Sequence, residues 1–523
     1  MVAASSTSDG QARSRDVFTL VYAVFIAGLC SIVYELLIAT TVTYFEGDSV
    51  RYFSLTIGLY MASMGLGAFV SKFATENLLR KLVYAETLLG ALGGFSIPLL
   101  YLAYAWTDHF LTLYVVFTLV IGFLIGLEVP FLTRLLERYD SLRVSIAHVL
   151  TLDYFGALIA TMAFPLLLLP MFGTFRTGLF FGLMNMSIGL LLLWHFPKRI
   201  GARTTVLFRA LTVVIAASIV SGLFLAHYLL ENWNGQVYEA RVIHSEQTRF
   251  QQIVLTKSRT DLRLFLDGNL QFSSLDEYRY HEALVHPAMA VLTATVKPRL
   301  KALFLGGGDG LAVREILKHD NVAEVTLVDL DPAMTAIGMK NPHVTALNGN
   351  SLTRDKRVRV VNADAFSFLK GRSVLYDLII ADLPDPNNTD LARLYTAEFY
   401  RLAHNALAPD GLFVAQATSP FYAKKAFWGT HASVSSAFRY TAPYHTPVPS
   451  FGDWGFVMAS DEPLNLSGAF ANLPKDLRYL DADVFEKMFV FAKDLKVDTI
   501  EASTLDRPII LDYYLEGWRQ WER

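Results

Sequence analysis

The chain has 523 residues, of which 53% are hydrophobic and 18% are charged, and its formal net charge is −3. Soluble globular proteins carry about 25% charged residues, so the whole chain is not an ordinary soluble domain. A net charge near zero with no basic stripe argues against nucleic acid as a partner. A single cysteine, Cys30, excludes an intrachain disulfide. No Cys/His cluster has metal-ligand spacing, so we expect no metal.

Hydrophobicity changes sharply near residue 231. Residues 1–16 form a polar N-terminal tail, and residues 17–230 are almost all apolar. Beyond them the charge density is normal. We therefore predict a membrane domain of six or seven transmembrane helices at 17–230 and a small β-domain at 231–290. An α/β Rossmann-like domain at 291–460 and a C-terminal extension at 461–523, with no assigned role, complete the chain.

The apolar half contains runs long enough to cross a bilayer, which takes about 20 residues. The first run is too long for a signal peptide, and it leads into further spans. The seven predicted segments are 17–40, 52–71, 82–105, 110–132, 146–170, 177–197 and 209–230.

Lys and Arg are concentrated in the N-terminal tail and in every second loop between these segments. Short basic loops stay in the cytoplasm, so this alternation predicts a cytoplasmic N-terminus. Seven spans would then place the second half outside the cytoplasm. If 209–230 lies along the cytoplasmic surface, six spans place that half inside.

Acidic residues interrupt the apolar runs at Glu35, Glu128 and Asp153. Acids at membrane depth are costly and usually face a bundle interior or a water path. A site that attracts a cation and a structural hydrogen-bond network both remain open for these three. Glu86 lies near a span end, and we expect it at the membrane interface.

The second half changes from strands to a βαβ pattern. Residues 237–275 alternate apolar and polar as strands do. From 301 onward a buried strand, the glycine turn 306–310, a helix and a strand ending in Asp329 follow each other. This order is typical of the nucleotide-binding unit of doubly wound sheets. The turn lacks the third glycine of a dinucleotide fingerprint and carries Asp309, which disfavours a pyrophosphate ligand.

Several acids follow predicted parallel strands. Ligands bind outside the carboxyl ends of such strands, so these side chains should meet at one edge of the sheet. An acidic pocket favours a cationic ligand. The acids are Asp309, Asp329, Asp364, Asp382 and Asp385.

Ordered motifs through residues 237–460 resemble the spermidine synthase family. The membrane half resembles the membrane-bound bacterial branch of that family through Tyr34-Glu35 and the run 126–130. The resemblance implies a Rossmann-like, methyltransferase-like fold of the S-adenosylmethionine type. The motifs of the second half are RFQQ (249–252), LDGNLQ (266–271), DEYRYHE (276–282), GGGDG (306–310) with Arg314-Glu315, Asp364-Ala365, DLPDP (382–386) and LYTAEFY (394–400).

This resemblance implies an aminopropyltransferase. Its donor would be decarboxylated S-adenosylmethionine, a co-substrate, with no bound cofactor. Its acceptor would be a polyamine such as putrescine, and its product spermidine or an analogue. Asp382, helped by Tyr280, would take the proton of the attacking amine, while Asp385, with Tyr280, would bind the acceptor.

Other residues would hold the donor. By resemblance, Asp329 would bind the ribose, and Asp364 with Ala365 the adenine. The aminopropyl end would lie near Gln252, His281 and Asp309, above a turn that includes Gly306 and Gly308.

The sequence also departs from the family pattern. Leu383 follows the predicted catalytic aspartate where the family often has a small hydroxyl residue, and the loop 387–393 lacks the glycine-rich stretch of soluble members. Residues 449–455 resemble the acceptor-side loop only loosely.

Two alternative functions stay open. A methyltransferase could use the same fold, and a polyamine carrier or sensor could use the membrane half. We expect an enzyme in the bilayer of the bacterial inner membrane, with assembly into a homo-oligomer left open. Because the donor would come from cytoplasmic metabolism, we predict that the catalytic half faces the cytoplasm.

Overall fold

The computed structural model describes residues 2–46, 49–238, 240–293, 299–370 and 374–521. The chain forms two compact units, residues 1–239 and 240–523. We name them the membrane unit and the soluble unit after the sequence prediction, and describe each by itself.

The membrane unit is a bundle of long apolar helices. Within the described residues, six helical stretches are long and apolar enough to cross a membrane. The helices are α1 (Val2–Glu46), α2 (Ser49–Ser71), α3 (Leu78–Trp106), α4 (Phe110–Leu136), α5 (Leu142–Ala163), α6 (Leu169–His195), α7 (Pro197–Ile200) and α8 (Ala202–Val237), with a π-helical turn, Phe164–Leu168, between α5 and α6.

The longest of these stretches, Leu142–His195, has 54 residues. At 1.5 Å per residue it is about 80 Å long, more than twice the thickness of the hydrocarbon core. Gly173 interrupts it with φ 67° and ψ 178°, which are not helical angles. Two of the seven predicted segments, 146–170 and 177–197, therefore lie on opposite sides of this break.

Glycines let the helices approach closely. A Cβ atom on Gly126 of α4 would collide with Met64 O of α2, and one on Gly67 of α2 would collide with Phe123 O of α4. Without a hydrophobic force between helices in lipid, small residues that permit backbone contact stabilise such pairs.

Helix α8, which contains the segment 209–230, packs side by side with α3. A surface helix would touch only the end of α3, whereas α8 follows it from one end to the other. The contacts run in the same order along both helices: the rings of Tyr84 and Phe208 stack, Ile219 packs on Gly94, and Trp233 Nε1 donates a hydrogen bond to Tyr101 O at 2.7 Å.

The basic loops gather at one end of the bundle. Arg134, in the last turn of α4, donates hydrogen bonds to Ala74 O and Ser71 O at the end of α2. Asp16 of α1 forms ion pairs with His195 at 2.7 Å and Arg199 at 3.1 Å. The opposite end of α8 lies beside Tyr101, near the other end of α3.

The soluble unit begins with an antiparallel sheet in the order β1-β2-β3-β4. The strands are β1 (Arg241–Gln247), β2 (Gln252–Lys257), β3 (Leu262–Leu266) and β4 (Asn269–Ser273). Strand β2 is buried along most of its length, whereas no residue of the edge strand β1 is fully buried.

A seven-stranded sheet follows, in the order β10-β11-β9-β8-β5-β6-β7. Its parallel strands are almost continuously apolar because helices cover both faces. Strand β5 pairs with both β6 and β8, so the strand order reverses there, and Gly306 lies opposite Asp382. The strands are β5 (Leu300–Gly306), β6 (Val322–Asp329), β7 (Val358–Asn362), β8 (Tyr376–Asp382), β9 (Leu407–Gln416), β10 (Tyr440–Val448) and β11 (Gly452–Ser460).

Helices cover this sheet and enclose two apolar clusters, one on each face. They are α9 (Glu277–Thr293), α10 (Leu311–Ile316), α11 (Pro332–Lys340), α12 (Pro342–Leu347), α13 (Ser351–Arg354), α14 (Ala365–Leu369), α15 (Thr389–Ala392), α16 (Ala397–Asn405), α17 (Lys424–Ser435), α18 (Ala482–Lys487) and α19 (Ile510–Arg519), with 3₁₀ turns at Arg393–Tyr395, Ala469–Asn472 and Lys493–Leu495.

Candidate active site

A cavity of about 600 Å³ lies at the carboxyl ends of the parallel strands. This is where doubly wound sheets bind ligands, at the point where the strand order reverses. Of the residues predicted to be catalytic, donor-binding or acceptor-binding, only Gln252 does not line this cavity. The predicted residues that do line it are Tyr280, His281, Gly306, Gly308, Asp309, Asp329, Asp364, Ala365, Asp382 and Asp385.

The glycine turn after β5 forms the floor of the cavity. Gly306 has φ 86°, a conformation that side chains rarely adopt, and a Cβ atom there would collide with Asp382 O. At Gly308 a Cβ atom would lie 2.6 Å from Asp329 Oδ2. Both positions therefore require glycine, and the bare backbone allows a ligand to approach closely.

Asp329, at the end of β6, is held by backbone donors. Its Oδ2 accepts a hydrogen bond from Gly308 N at 3.0 Å, and its Oδ1 accepts one from Asp331 N at 2.9 Å. Burial raises the pKa of Asp329 to about 6, because the charged form loses water, although these hydrogen bonds act in the opposite direction.

Asp382, at the end of β8, meets Tyr280 of α9. The Tyr280 hydroxyl donates a hydrogen bond to Asp382 Oδ1 at 2.7 Å. The other oxygen, Oδ2, faces the glycine turn, 3.0 Å from the position of a Cβ on Gly307. Burial raises the pKa of Asp382, while the charge of His281 and the Tyr280 hydrogen bond partly offset this.

His281, next to Tyr280, is buried and bonded to an acid. Its Nδ1 bonds to Glu277 Oε2 at 2.9 Å, and Arg314 makes a two-pronged ion pair with Glu277. Burial lowers the pKa of His281, but the Glu277 hydrogen bond and charge outweigh it, so the pKa is raised. The ring lies among carboxylates, and burial raises the pKa of one of them, Asp309, to about 6.

Asp385 lies in the DLPDP loop and is bound by three side chains. Gln416 Nε2 donates to Oδ1 at 3.2 Å and Thr418 Oγ1 donates to Oδ2 at 3.3 Å, while Tyr514 of α19 adds a third hydrogen bond. Burial raises the pKa of Asp385 to about 6, although these bonds oppose the rise.

Asp364 differs from the other acids because hydrogen-bond donors and an arginine of the protein already balance its negative charge. It caps α14 by accepting hydrogen bonds from Ser367, and Arg393 Nη2 lies 2.6 Å from its Oδ1. Burial would raise the pKa of Asp364, but these partners outweigh burial and lower it. Its carboxylate is therefore ionised at neutral pH.

Gln252 is placed differently from the prediction. Its neighbour Gln251 lines the cavity and donates a hydrogen bond to Asp331 Oδ2 at 3.2 Å. Gln252 opens strand β2, where successive side chains point to opposite faces, and its backbone N–H bonds to Asp267. The RFQQ motif does lie at the cavity, but the glutamine side chain that lines the cavity is that of Gln251 and not that of the next residue, Gln252.

Sequence reasoning missed several lining residues. Tyr514 comes from the C-terminal extension, to which we had assigned no role, and Phe451 and Trp454 come from the loosely matched loop. Asp267 of the LDGNLQ motif also lines the cavity, and burial raises its pKa to about 6. Asp267 could have been found as a cavity residue from its motif, whereas no local sequence pattern marks Tyr514 as one.

The predicted intramembrane acids lie on three different helices. Glu128 of α4 is buried, whereas Glu35 and Asp153 are half-buried. Glu86, which we expected at the membrane interface, is fully buried among the helices and accepts a hydrogen bond from Asn185 Nδ2 of α6 at 2.8 Å. Its place near a helix end did not reveal that it faces the interior of the bundle.

The fold and the cavity together define an α/β enzyme with a nucleotide-type site rich in carboxylates. Among the residues that the structure describes, no group of His, Cys, Asp and Glu side chains could hold a metal ion. A family model for the spermine/spermidine synthase domain matches residues 277–467.

Relatives match almost the whole chain. The polyamine aminopropyltransferase of Leptospira interrogans is 39% identical over 501 residues, covering 96% of this chain and 99% of the relative. That of Mycobacterium tuberculosis is 36% identical over 531 residues, covering 98% and 99%. Among solved structures, a spermidine synthase from Thermotoga maritima is 28% identical, with a TM-score of 0.44, over 49% of this chain and 86% of that one.

The chain therefore belongs to the polyamine aminopropyltransferase family and is a transferase. The predicted resemblance is confirmed at the level of the family. The relatives extend through the membrane unit, so the similarity covers far more than the 237–460 range of the motifs.

Proposed function

We propose that this protein is a membrane-embedded enzyme that transfers the aminopropyl group of decarboxylated S-adenosylmethionine to putrescine or a related amine. The observation that carries this proposal is the pairing of Asp382 with Tyr280 beside the glycine turn. Family membership favours aminopropyl transfer over the methyl transfer that the same fold could support.

The reaction is a displacement at the carbon next to a positively charged sulfur. The amine nitrogen forms a bond to this carbon, the carbon–sulfur bond breaks, and sulfur leaves as a neutral thioether. An alkylammonium has a pKa near 10, so the amine must lose a proton to react. Asp382 accepts that proton through Oδ2, because Oδ1 already receives the Tyr280 hydrogen bond.

The other acids bind and orient the two reactants. Asp329 accepts hydrogen bonds from the ribose hydroxyls, and Asp364 with Ala365 binds the adenine. Asp309, His281 and Gln251 surround the aminopropyl chain, with Gln251 taking the role that we had given to Gln252. Asp385 binds the far ammonium group of the acceptor, and holding both reactants in line lowers the barrier without a covalent intermediate.

Purified full-length protein, decarboxylated S-adenosylmethionine and a panel of amines test this function by mass spectrometry of the products. We expect the donor to lose its aminopropyl group only when an amine is present, with putrescine among the accepted amines. Transfer of a methyl group from S-adenosylmethionine would contradict the proposal.

We also propose that the helices of the membrane unit cross the bilayer seven times, with Leu142–His195 crossing twice and α8 crossing beside α3. The break at Gly173 and the contact along α3 support this count. An odd number of crossings puts the N-terminus and the soluble unit on opposite faces. This count selects seven from the six or seven spans that we had predicted, and it sets aside the arrangement in which 209–230 lies along the cytoplasmic surface.

The side of the membrane on which the soluble unit lies can then be measured directly. The basic loops favour a cytoplasmic N-terminus, while the cytoplasmic source of the donor favours a cytoplasmic soluble unit. In intact spheroplasts, an external protease should cut either an N-terminal tag or the soluble unit, but not both. Protection of both, or cleavage of both, would contradict seven crossings.

A further inference from the structure

Two buried acids face each other inside the membrane unit. Glu86 of α3 is 0% exposed and Glu128 of α4 is 2% exposed. The two side chains lie close enough to interact with each other. Because an ionised carboxylate can only accept hydrogen bonds, two carboxyl groups can bond to each other only when one of them carries a proton.

Asn185 of α6 completes this arrangement. Its Nδ2 donates hydrogen bonds to Glu86 Oε2 at 2.8 Å and to Glu86 O at 3.2 Å. The Oε1 atoms of Glu86 and Glu128 and the Oδ1 of Asn185 are buried and receive no hydrogen bond from an N–H or O–H group of the described chain. The site therefore has acceptors without donors, and a proton would supply the missing donor.

Among the described residues, no positively charged group acts on the two acids. The Tyr34 hydroxyl donates to Phe181 O at 3.1 Å and the Tyr60 hydroxyl donates to Ser31 O at 2.8 Å, so neither is directed at the acids. Two unpaired charges in this interior would be very costly. The titratable groups that face the pair are Cys30 and Tyr34 of α1, Tyr60 of α2 and Asp153 of α5.

Close helix packing limits the size of the ligand. A Cβ atom on Gly90 of α3 would lie 2.5 Å from Met186 Cγ and 3.1 Å from Gly182 O of α6. On the other side, the Cβ of Glu86 lies 3.6 Å from the Cβ position of Gly189. A polyamine needs a channel wider than these contacts leave, whereas a proton needs only the two oxygens.

We propose that Glu86 and Glu128, oriented by Asn185, form an intramembrane proton-binding site that holds one proton at neutral pH. This site is independent of the aminopropyl transfer proposed above. It also replaces the idea that these acids capture a polyamine. Since Glu86, Glu128 and Asn185 belong to α3, α4 and α6, gain or loss of the proton changes the contact among three helices.

Dicyclohexylcarbodiimide tests the proposal because it adds to protonated carboxyl groups in apolar surroundings. The full-length protein in phosphatidylglycerol–phosphatidylethanolamine vesicles is treated at pH 7, and adducts are mapped by mass spectrometry. We expect an adduct on Glu86 or Glu128, and its loss in the Glu86→Gln/Glu128→Gln double variant. Glu35→Gln is the matched control and should keep the adduct.

A second measurement tests the proposal even if the carbodiimide cannot reach the buried acids. Infrared spectra of the same vesicles should contain the carbonyl band of a protonated carboxylic acid at pH 7, and the double variant should lose it. Unchanged aminopropyl transfer would verify that the variant is folded. Absence of both the adduct and the band in the unaltered protein would overturn the proposal, as would protection of the acids by putrescine or sodium ions, which would indicate a larger cation.

Discussion

The two units use buried acids in opposite ways. In the soluble unit, Asp309, Asp329 and Asp385 line a cavity of about 600 Å³, and each is held by backbone or side-chain donors. In the membrane unit, Glu86 and Glu128 are buried among the helices, close enough to interact with each other. Acids around open space can bind a cation of substrate size, whereas acids packed in contact can bind only a proton.

The sharpest test of this comparison is the Asp382→Asn substitution in the soluble unit. The amide keeps the size of the side chain but cannot accept the amine proton, so we expect kcat to fall about 10²- to 10⁴-fold. Donor affinity, measured by calorimetry, should be nearly unchanged. Asp476→Asn, at an exposed position outside the cavity, is the control, and near-normal turnover of Asp382→Asn would refute the catalytic assignment.

Donor binding depends on a second acid, Asp329. In Asp329→Ala, the loss of hydrogen bonds between a charged carboxylate and the ribose should cost about 1.5–3 kcal/mol, or ~10- to 150-fold in donor Kd. Titration calorimetry measures this directly. An unchanged Kd would show that Asp329 supports the glycine turn without touching the donor.

The raised pKa values in the cavity predict a pH dependence of donor binding. Burial raises the pKa of Asp309 and of Asp329 to about 6, and the donor binds to their ionised forms. Affinity should therefore be full above pH 7 and should fall as pH drops through 6, by about tenfold per pH unit for each group that must ionise. Calorimetry between pH 5 and 8 would measure this fall, and a flat profile would contradict a cavity of acids that exchange protons for a cation.

A smaller effect is expected at Tyr514, the cavity residue contributed by α19. Tyr514→Phe removes one hydrogen bond to Asp385, worth about 0.5–1.5 kcal/mol, so the acceptor KM should rise ~2- to 12-fold. Donor Kd should not change. The adjacent Tyr513 packs on Gly429 and does not line the cavity, so Tyr513→Phe is a matched control that should leave KM unchanged.

The smallest effect is predicted in the membrane unit. Glu35→Gln, Glu128→Gln and Asp153→Asn should leave kcat and KM of the detergent-solubilised enzyme unchanged, because none of these acids lines the cavity. Steady-state kinetics on each variant would measure this. An equal loss of activity in all three variants would contradict the contrast between the two units, since these acids would then serve folding or catalysis.

Local sequence patterns were sufficient to locate much of the candidate active site. Each strand-end acid could be located because a parallel strand, once recognised, has its carboxyl end at the edge where ligands bind, as Asp329 and Asp382 illustrate. Gln252 does not line the cavity although its neighbour Gln251 does, because the β-strand period is two residues and a shift of one residue selects the opposite face. Tyr514 is 132 residues from Asp382 in the chain, and no local pattern links two such distant segments.

By itself, the sequence determined the class of the two halves, because apolar length and strand periodicity are local properties of the chain. It also determined the glycine turn, where only glycine tolerates φ near 86° at Gly306. Only the tertiary structure decided that α8 packs along α3, that α19 reaches the cavity, and that Glu86 faces Glu128. These contacts depend on the directions in which packed helices point their side chains, and a position within one helix does not specify its neighbour.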